Sequence, residues 1–141
     1  MRITLYTVEE ANQLLVELRP RLERLLGMKR EFDKLETSLS VLMIATSGAA
    51  PENPDAREMA VISDKRRRLG EMIGRGIGEL HERGVLVKDL DRGLVDLYAL
   101  SGDRLIFLCW HLGEAELTHW HTLEGGFSTR QPLKEAGLDE S

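Results

Sequence analysis

The sequence predicts an α+β protein in which a long antiparallel helical hairpin packs with a four-stranded antiparallel sheet. Three observations carry that prediction. Apolar residues recur at steps of three and four from Ala11 to Leu42 and again, with one step of seven, from Met59 to Leu80, the period of two amphipathic helices. A single stretch rich in Pro, Gly, Asn and Ala, "TSGAAPENPD", separates them. The next forty residues then change period, with short β-rich runs divided by turn signals.

The chain opens with a short apolar-alternating piece, Ile3 and Leu5, that ends at Thr7. Thr7 and Glu10 have capping-box spacing: the hydroxyl accepts from the third helical amide while the carboxylate reaches back. The first helical seam runs Ala11, Leu15, Leu18, Leu22, Leu25, Met28, Phe32, Leu35, Leu39, Leu42. Pro20 lies inside it. Proline lacks the amide donor and crowds the preceding turn, so it predicts either a kink or two helices, 8–18 and 21–45. Asn53 followed by Pro54 is a cap with proline at the first helical position. The second helix then extends to Arg83 along Met59, Ile62, Leu69, Met72 or Ile73, Ile77 and Leu80, and Gly84 stops it.

Turn signals at Asp91-Arg92-Gly93, Ser101-Gly102-Asp103 and Gly113-Glu114 divide the following segment into four strands, 85–88, 94–99, 104–111 and 116–121. Leu105 to Trp110 is apolar throughout, the pattern of a central strand covered on both faces. The expected organisation is one domain over 1–133, with the helical hairpin at 7–83, the meander at 85–121 and a loop at 122–133. Residues 134–141 read as a disordered tail.

Lengths and glycines bear on assembly. A helix of nearly thirty residues extends over about 40 Å, whereas a six-residue strand spans about 20 Å. The sheet therefore cannot cover both seams, and a homodimer built on the helices is the expectation. Gly70, Gly74 and Gly78 repeat at intervals of four, with Gly76 between the last two. Each costs about 0.5–1 kcal/mol relative to alanine within a helix, a cost that close approach of another backbone explains. A phosphate loop fits poorly, since no Gly-Lys-Ser/Thr and no preceding strand is present.

Composition narrows the function classes. The net charge of −5 gives no global attraction to nucleic acid or anionic membrane. One cysteine cannot form an internal disulfide, and the N-terminal residues do not read as a signal peptide. No uncharged apolar run approaches the roughly 20 residues that span a bilayer. A cytoplasmic protein is expected. Lys65, Arg66, Arg67 and Arg68 form the one basic cluster, but they wrap a full helical turn and so cannot share one groove. Arg66 falls on the seam, within reach of Glu31 or Glu36.

The chemistry concentrates in "LCWHLGEAELTHWH", residues 108–121, which hold the only cysteine, three of four histidines and both tryptophans. His119 and His121 alternate on a strand and share a face in any register. Whether Cys109 joins them depends on the hairpin. A three-residue loop, Gly113 to Ala115, places 109 opposite 119 with Cys109, His111, His119 and His121 on one face. A two-residue loop, Gly113-Glu114, sends the histidine pair to the face of Ile106, Leu108 and Trp110. Glycine first favours the two-residue loop. The candidate metal ligands are His119, His121, Asp96 and Cys109, the carboxylate coming from Asp96 or Glu124. The bland alternative buries the imidazoles on hydrogen bonds, with Cys109 an inert thiol. Beyond the last strand, Gly125-Gly126 permits unusual backbone shapes and Phe127 can anchor the loop. His121, Glu124 and Arg130 are then candidates to line one pocket.

"YTVEEANQLLVELRPRLERL", "GVLVKDLDRGLVDL", "LCWHLGE" and "HWHTLEGGFSTRQPL" together resemble an uncharacterised bacterial family known as domain of unknown function 2203, from about Tyr6 to Leu133. The densest match is Trp110, Gly113, Glu114, Trp120, His121, Gly126, Phe127, Arg130, Gln131 and Pro132. The resemblance implies no activity, cofactor or catalytic residue. It does imply that a basic residue usually stands at His111 and an aromatic one at His119, which leaves Glu114, His121 and Arg130 as the better candidates.

The functional expectation is a non-enzymatic interaction or scaffold module that forms a helix-mediated homodimer. The alternative is a protein binding a divalent metal or small molecule, with enzymatic activity left open, through His121 with Glu114, Glu124 or Arg130. A weaker alternative is nucleic-acid binding through Lys65–Arg68.

Overall fold

A computed structural model of the chain describes residues 3–48, 50 and 52–133; the tail expected at 134–141 lies outside the described residues. Thr7 caps helix α1, Val8–Ala45, with the full capping box in place: its hydroxyl accepts from the Glu10 amide, and Glu10 accepts from the Thr7 amide. Pro20 neither ends nor divides this helix. It sits on an exposed turn, and Val16, whose carbonyl loses its helical donor, is also exposed, so that carbonyl lies on the solvent side of the helix. Asn53 caps α2, Pro54–Glu82, and Gly84 closes it at φ +84°. Tyr6 ties the N-terminal segment down, its amide donating to the Tyr98 carbonyl and its hydroxyl to that of Arg83. The segment of Ile3 and Leu5 forms no strand.

The strands are β1 Val85–Asp89, β2 Leu94–Ser101, β3 Arg104–His111, β4 His119–Thr122 and β5 Gln131–Pro132, in that spatial order and antiparallel throughout. Five strands replace the expected four. The fifth forms because a 3-10 turn at Phe127–Thr129 reverses the chain, and Leu133 then buries itself while its amide donates to the Thr118 carbonyl. Its proline lies at the sheet edge, where a missing donor costs least. The apolar β3 is the central strand, buried at five consecutive positions.

One sheet face packs on α1. Val95, Leu97, Ala99, Ile106, Leu108, Trp110 and Trp120 meet Ala11, Leu15, Leu18, Leu22 and Leu25 in a single core. Each buried Val, Leu or Ile side chain among them contributes roughly 1.5–3 kcal/mol. The opposite face carries Asp96, Cys109 and His119 in one cross-strand row, with Tyr98, Phe107 and His121 in the next.

The helices make their own seam, with Phe32 against Gly70 and Leu25 against Gly76 of α2, and with Leu35 and Ile73 buried along it. The seam's choice between Met72 and Ile73 falls to Ile73, which is buried while Met72 is exposed. Lys29 pairs with Asp91 in the β1–β2 turn, which marks where the sheet ends against α1. Beyond it the hairpin carries on alone: among the described residues from Glu36 to Met72, none is buried.

Candidate functional site

Three strands bring three ligand-type side chains together on the outer sheet face. Asp96 on β2 pairs across to Cys109 on β3, and His121 on β4 sits one row along. A carboxylate oxygen, the thiol sulfur and an imidazole nitrogen all lie within 4.8 Å of one another, and all three residues are buried. His121 Nε2 is 3.1 Å from both Asp96 oxygens, and its Nδ1 is 2.7 Å from the Thr122 carbonyl. A carbonyl only accepts, so Nδ1 carries a proton, and Nε2 is the atom left to face the carboxylate. Burial raises the Asp96 carboxyl above its ordinary range, and the His121 partnership opposes that rise. The Cys109 thiol is pushed up to about 12, first by burial and next by the charge of Asp96.

A second cluster borders this one. Arg130 Nη2 lies 2.9 Å from both Glu114 oxygens and 3.4 Å from the Cys109 carbonyl. Glu114 also accepts from the His111 amide at 3.0 Å, and its carboxylate is 3.8 Å from His111 Nε2 and 4.0 Å from His119 Nδ1. Phe127 stacks beneath the guanidinium groups of Arg92 and Arg130 and against the edge of His111. Lys88 covers Phe107. The loop after β4 thus roofs the outer face of the sheet.

The hairpin register is a correction to the sequence reading. Cys109 lies opposite His119, not Thr118, so the histidine pair shares the Cys109 face and not that of Ile106, Leu108 and Trp110. A turn at His111–Glu114, closed by the Glu114 amide on the His111 carbonyl, does not join the two strands directly. Residues 112–118 form a wide connection held from outside: Asn12 accepts from the Leu117 amide at 2.7 Å, and Arg19 donates to the Glu114 and Ala115 carbonyls. Trp110 Nε1 donates to the Glu114 carbonyl as well. Local turn chemistry favours Gly113-Glu114, but anchoring to α1 overrides it. Asn12 and Arg19 read as ordinary helix-surface residues, and nothing in their local sequence pointed to this task.

Cys109, His111, His119 and His121 do share a face, yet their ligand atoms do not converge as a set. His111 and His119 turn to Glu114, while His121 and Cys109 turn to Asp96. Asp96 therefore supplies the carboxylate, and Glu124 stays exposed. Of the three residues expected to line one pocket, His121 is buried on Asp96, Arg130 is engaged with Glu114, and Glu124 is exposed. Phe127 anchors the loop as expected.

On the helices, the close approach falls on Gly70 and Gly76 and not on the whole four-residue stripe. A Cβ at Gly70 would lie 3.3 Å from Phe32, and one at Gly76 would lie 2.5 Å from Leu25, whereas Gly74 and Gly78 face open space. Arg66 pairs with Glu36, the nearer of the two expected partners, and also covers the Phe32 ring. Arg67 pairs with Asp64 and Glu71, and Arg68 with Asp64. Among the described residues, no helix is long and apolar enough to cross a membrane.

A buried thiol, imidazole and carboxylate within ligand distance can hold a proton network or a metal ion. A nucleophile with an open approach is a different arrangement, and this is not one. No curated protein and no solved structure matches the chain. A family model described as "Uncharacterized conserved protein (DUF2203)" matches residues 4–133, and the chain belongs to that family.

Proposed function

We propose that the chain is a non-enzymatic interaction module that forms a homodimer through the far end of its helical hairpin. One observation carries this reading. Between Glu36 and Met72 no described residue is buried, while Val41, Ile44 and Val61 are 61 %, 82 % and 63 % exposed. A two-helix arm without a sheet beneath it buries little and gains little from helix propensity alone. A second copy of the same arm supplies the missing surface by two-fold symmetry, the commonest solution for soluble oligomers. The nucleic-acid alternative through Lys65–Arg68 is less favoured, since Arg66, Arg67 and Arg68 pair with carboxylates of their own chain.

Sedimentation across a concentration series tests the reading, with Ile44→Asp plus Val61→Asp as the variant. A dimer at tens of micromolar in the parent chain and a folded monomer in the variant support it. A parent chain that sediments as a monomer at those concentrations overturns it.

A further inference from the structure

Independently of the helical arm, we propose that Asp96, Cys109 and His121 bind one divalent transition-metal ion of zinc type on the outer face of the sheet. The donors come from three adjacent strands whose register is fixed by backbone pairing, and their ligand atoms already lie within 4.8 Å of one another. Ligands of one tetrahedral ion at 2.0–2.3 Å stand roughly 3–4 Å apart, so small rotamer adjustments suffice. A thiol, an imidazole and a single carboxylate form a borderline-soft set. That composition selects zinc, cobalt or a similar ion over magnesium or calcium, which prefer all-oxygen shells.

The orientation of His121 is the second observation. Its Nδ1–H donates to the Thr122 carbonyl, which turns Nε2 inward towards Asp96 and Cys109. Metal-bound histidines are held in this way, one ring nitrogen fixed on a backbone carbonyl so that the other presents its lone pair. A lone pair facing a buried carboxylate needs a cation between them, and a proton or a metal ion fills that role. Loading the metal exchanges the Cys109 thiol proton, and any proton held between His121 and Asp96, for the ion. Binding therefore releases protons to solvent and strengthens as pH rises. Among the described residues no fourth Asp, Glu, Cys or His joins the set, which leaves one tetrahedral corner for water or a ligand atom.

The test uses the full chain, freed of metal and titrated with cobalt(II), then with zinc. The expected result is one equivalent bound per chain, a near-ultraviolet thiolate-to-cobalt charge-transfer band, and its loss on displacement by zinc. X-ray absorption of the zinc form should show one sulfur neighbour among nitrogen and oxygen. Cys109→Ser should abolish the band and weaken binding by about tenfold or more, whereas Glu124→Gln should bind as the parent does. A folded parent chain that takes up no cobalt overturns the site, as does a band that survives Cys109→Ser. If Cys109→Ser does not fold, the sulfur count of the parent chain decides: none in the metal's shell refutes the proposal.

Discussion

Arg130 and Glu114 close the C-terminal loop over the sheet, with one guanidinium nitrogen 2.9 Å from both carboxylate oxygens and both side chains largely buried. Glu114 belongs to the β3–β4 connection and Arg130 to the segment leading into β5, so the pair ties the last two strands together. Removing one partner leaves the other charge buried without its opposite charge. Arg130→Met is expected to cost about 3 kcal/mol in denaturant unfolding. The double variant with Glu114→Gln should cost less than the sum of the two single changes. Additive losses would mean that the pair is not coupled.

Alanine in place of two neighbouring glycines of α2 should move stability in opposite directions. Gly74 faces open space, so Gly74→Ala is expected to stabilise the chain by about 0.5–1 kcal/mol through helix propensity. At Gly76 the new methyl would meet the buried Leu25 side chain at 2.5 Å, so Gly76→Ala should destabilise. Chemical denaturation of the two variants beside the parent measures both signs.

Gly93 sits at φ +61° with the Leu112 Cβ 2.6 Å from where its own Cβ would stand. Gly93→Ala meets both backbone strain and a clash between two turns, and should cost more than about 1 kcal/mol. Gly102 has a similar φ, +64°, and open space around it, so Gly102→Ala should lose less. Comparing their midpoints isolates the clash.

In the metal-free chain Cys109 is buried, and its thiol value of about 12 keeps it protonated at neutral pH. Reaction with a disulfide reagent in the folded chain is expected to run on the order of a thousandfold slower than in denaturant, where the thiol returns to its ordinary range. Fast labelling under native conditions would contradict the burial.

Alkali should weaken the junction of the two ends of the helical hairpin. Burial raises the Tyr6 phenol above its ordinary value of 10.0, against the opposing pull of Arg83. A raised folded value means that the stabilisation is complete below about pH 10 and is lost as pH climbs through the folded value. Melting temperatures from about pH 9 to 11 should therefore fall more steeply in the parent chain than in Tyr6→Phe, which has no phenol to ionise.

The helices and the order of the strands were legible because their causes are local. A step of three or four in the apolar residues, Thr7 with Glu10, Asn53 with Pro54 and the apolar run of β3 each act within a few residues of themselves. Helical phase also placed Arg66 on the seam within reach of Glu31 or Glu36, and the folded hairpin pairs it with Glu36. Pro20 was ambiguous for a physical reason: its effect depends on whether Val16 can find water, and that is settled by which side of α1 faces the sheet. The fifth strand was missed because two residues carry no periodicity, and only the return of Leu133 to the core makes them a strand.

The sequence by itself determined which side chains were available for chemistry and that His119 and His121 must emerge on the same side. Which side that is, and which of Asp96, Glu124, Cys109 and Arg130 meets them, was decided by tertiary structure. Asn12 and Arg19, about a hundred residues upstream, hold the 112–118 connection against α1, and β4 enters the sheet with His119 opposite Cys109. A strand reverses its two faces with a one-residue slip, so a hydrogen bond from a distant helix outweighs the turn preference of a single glycine.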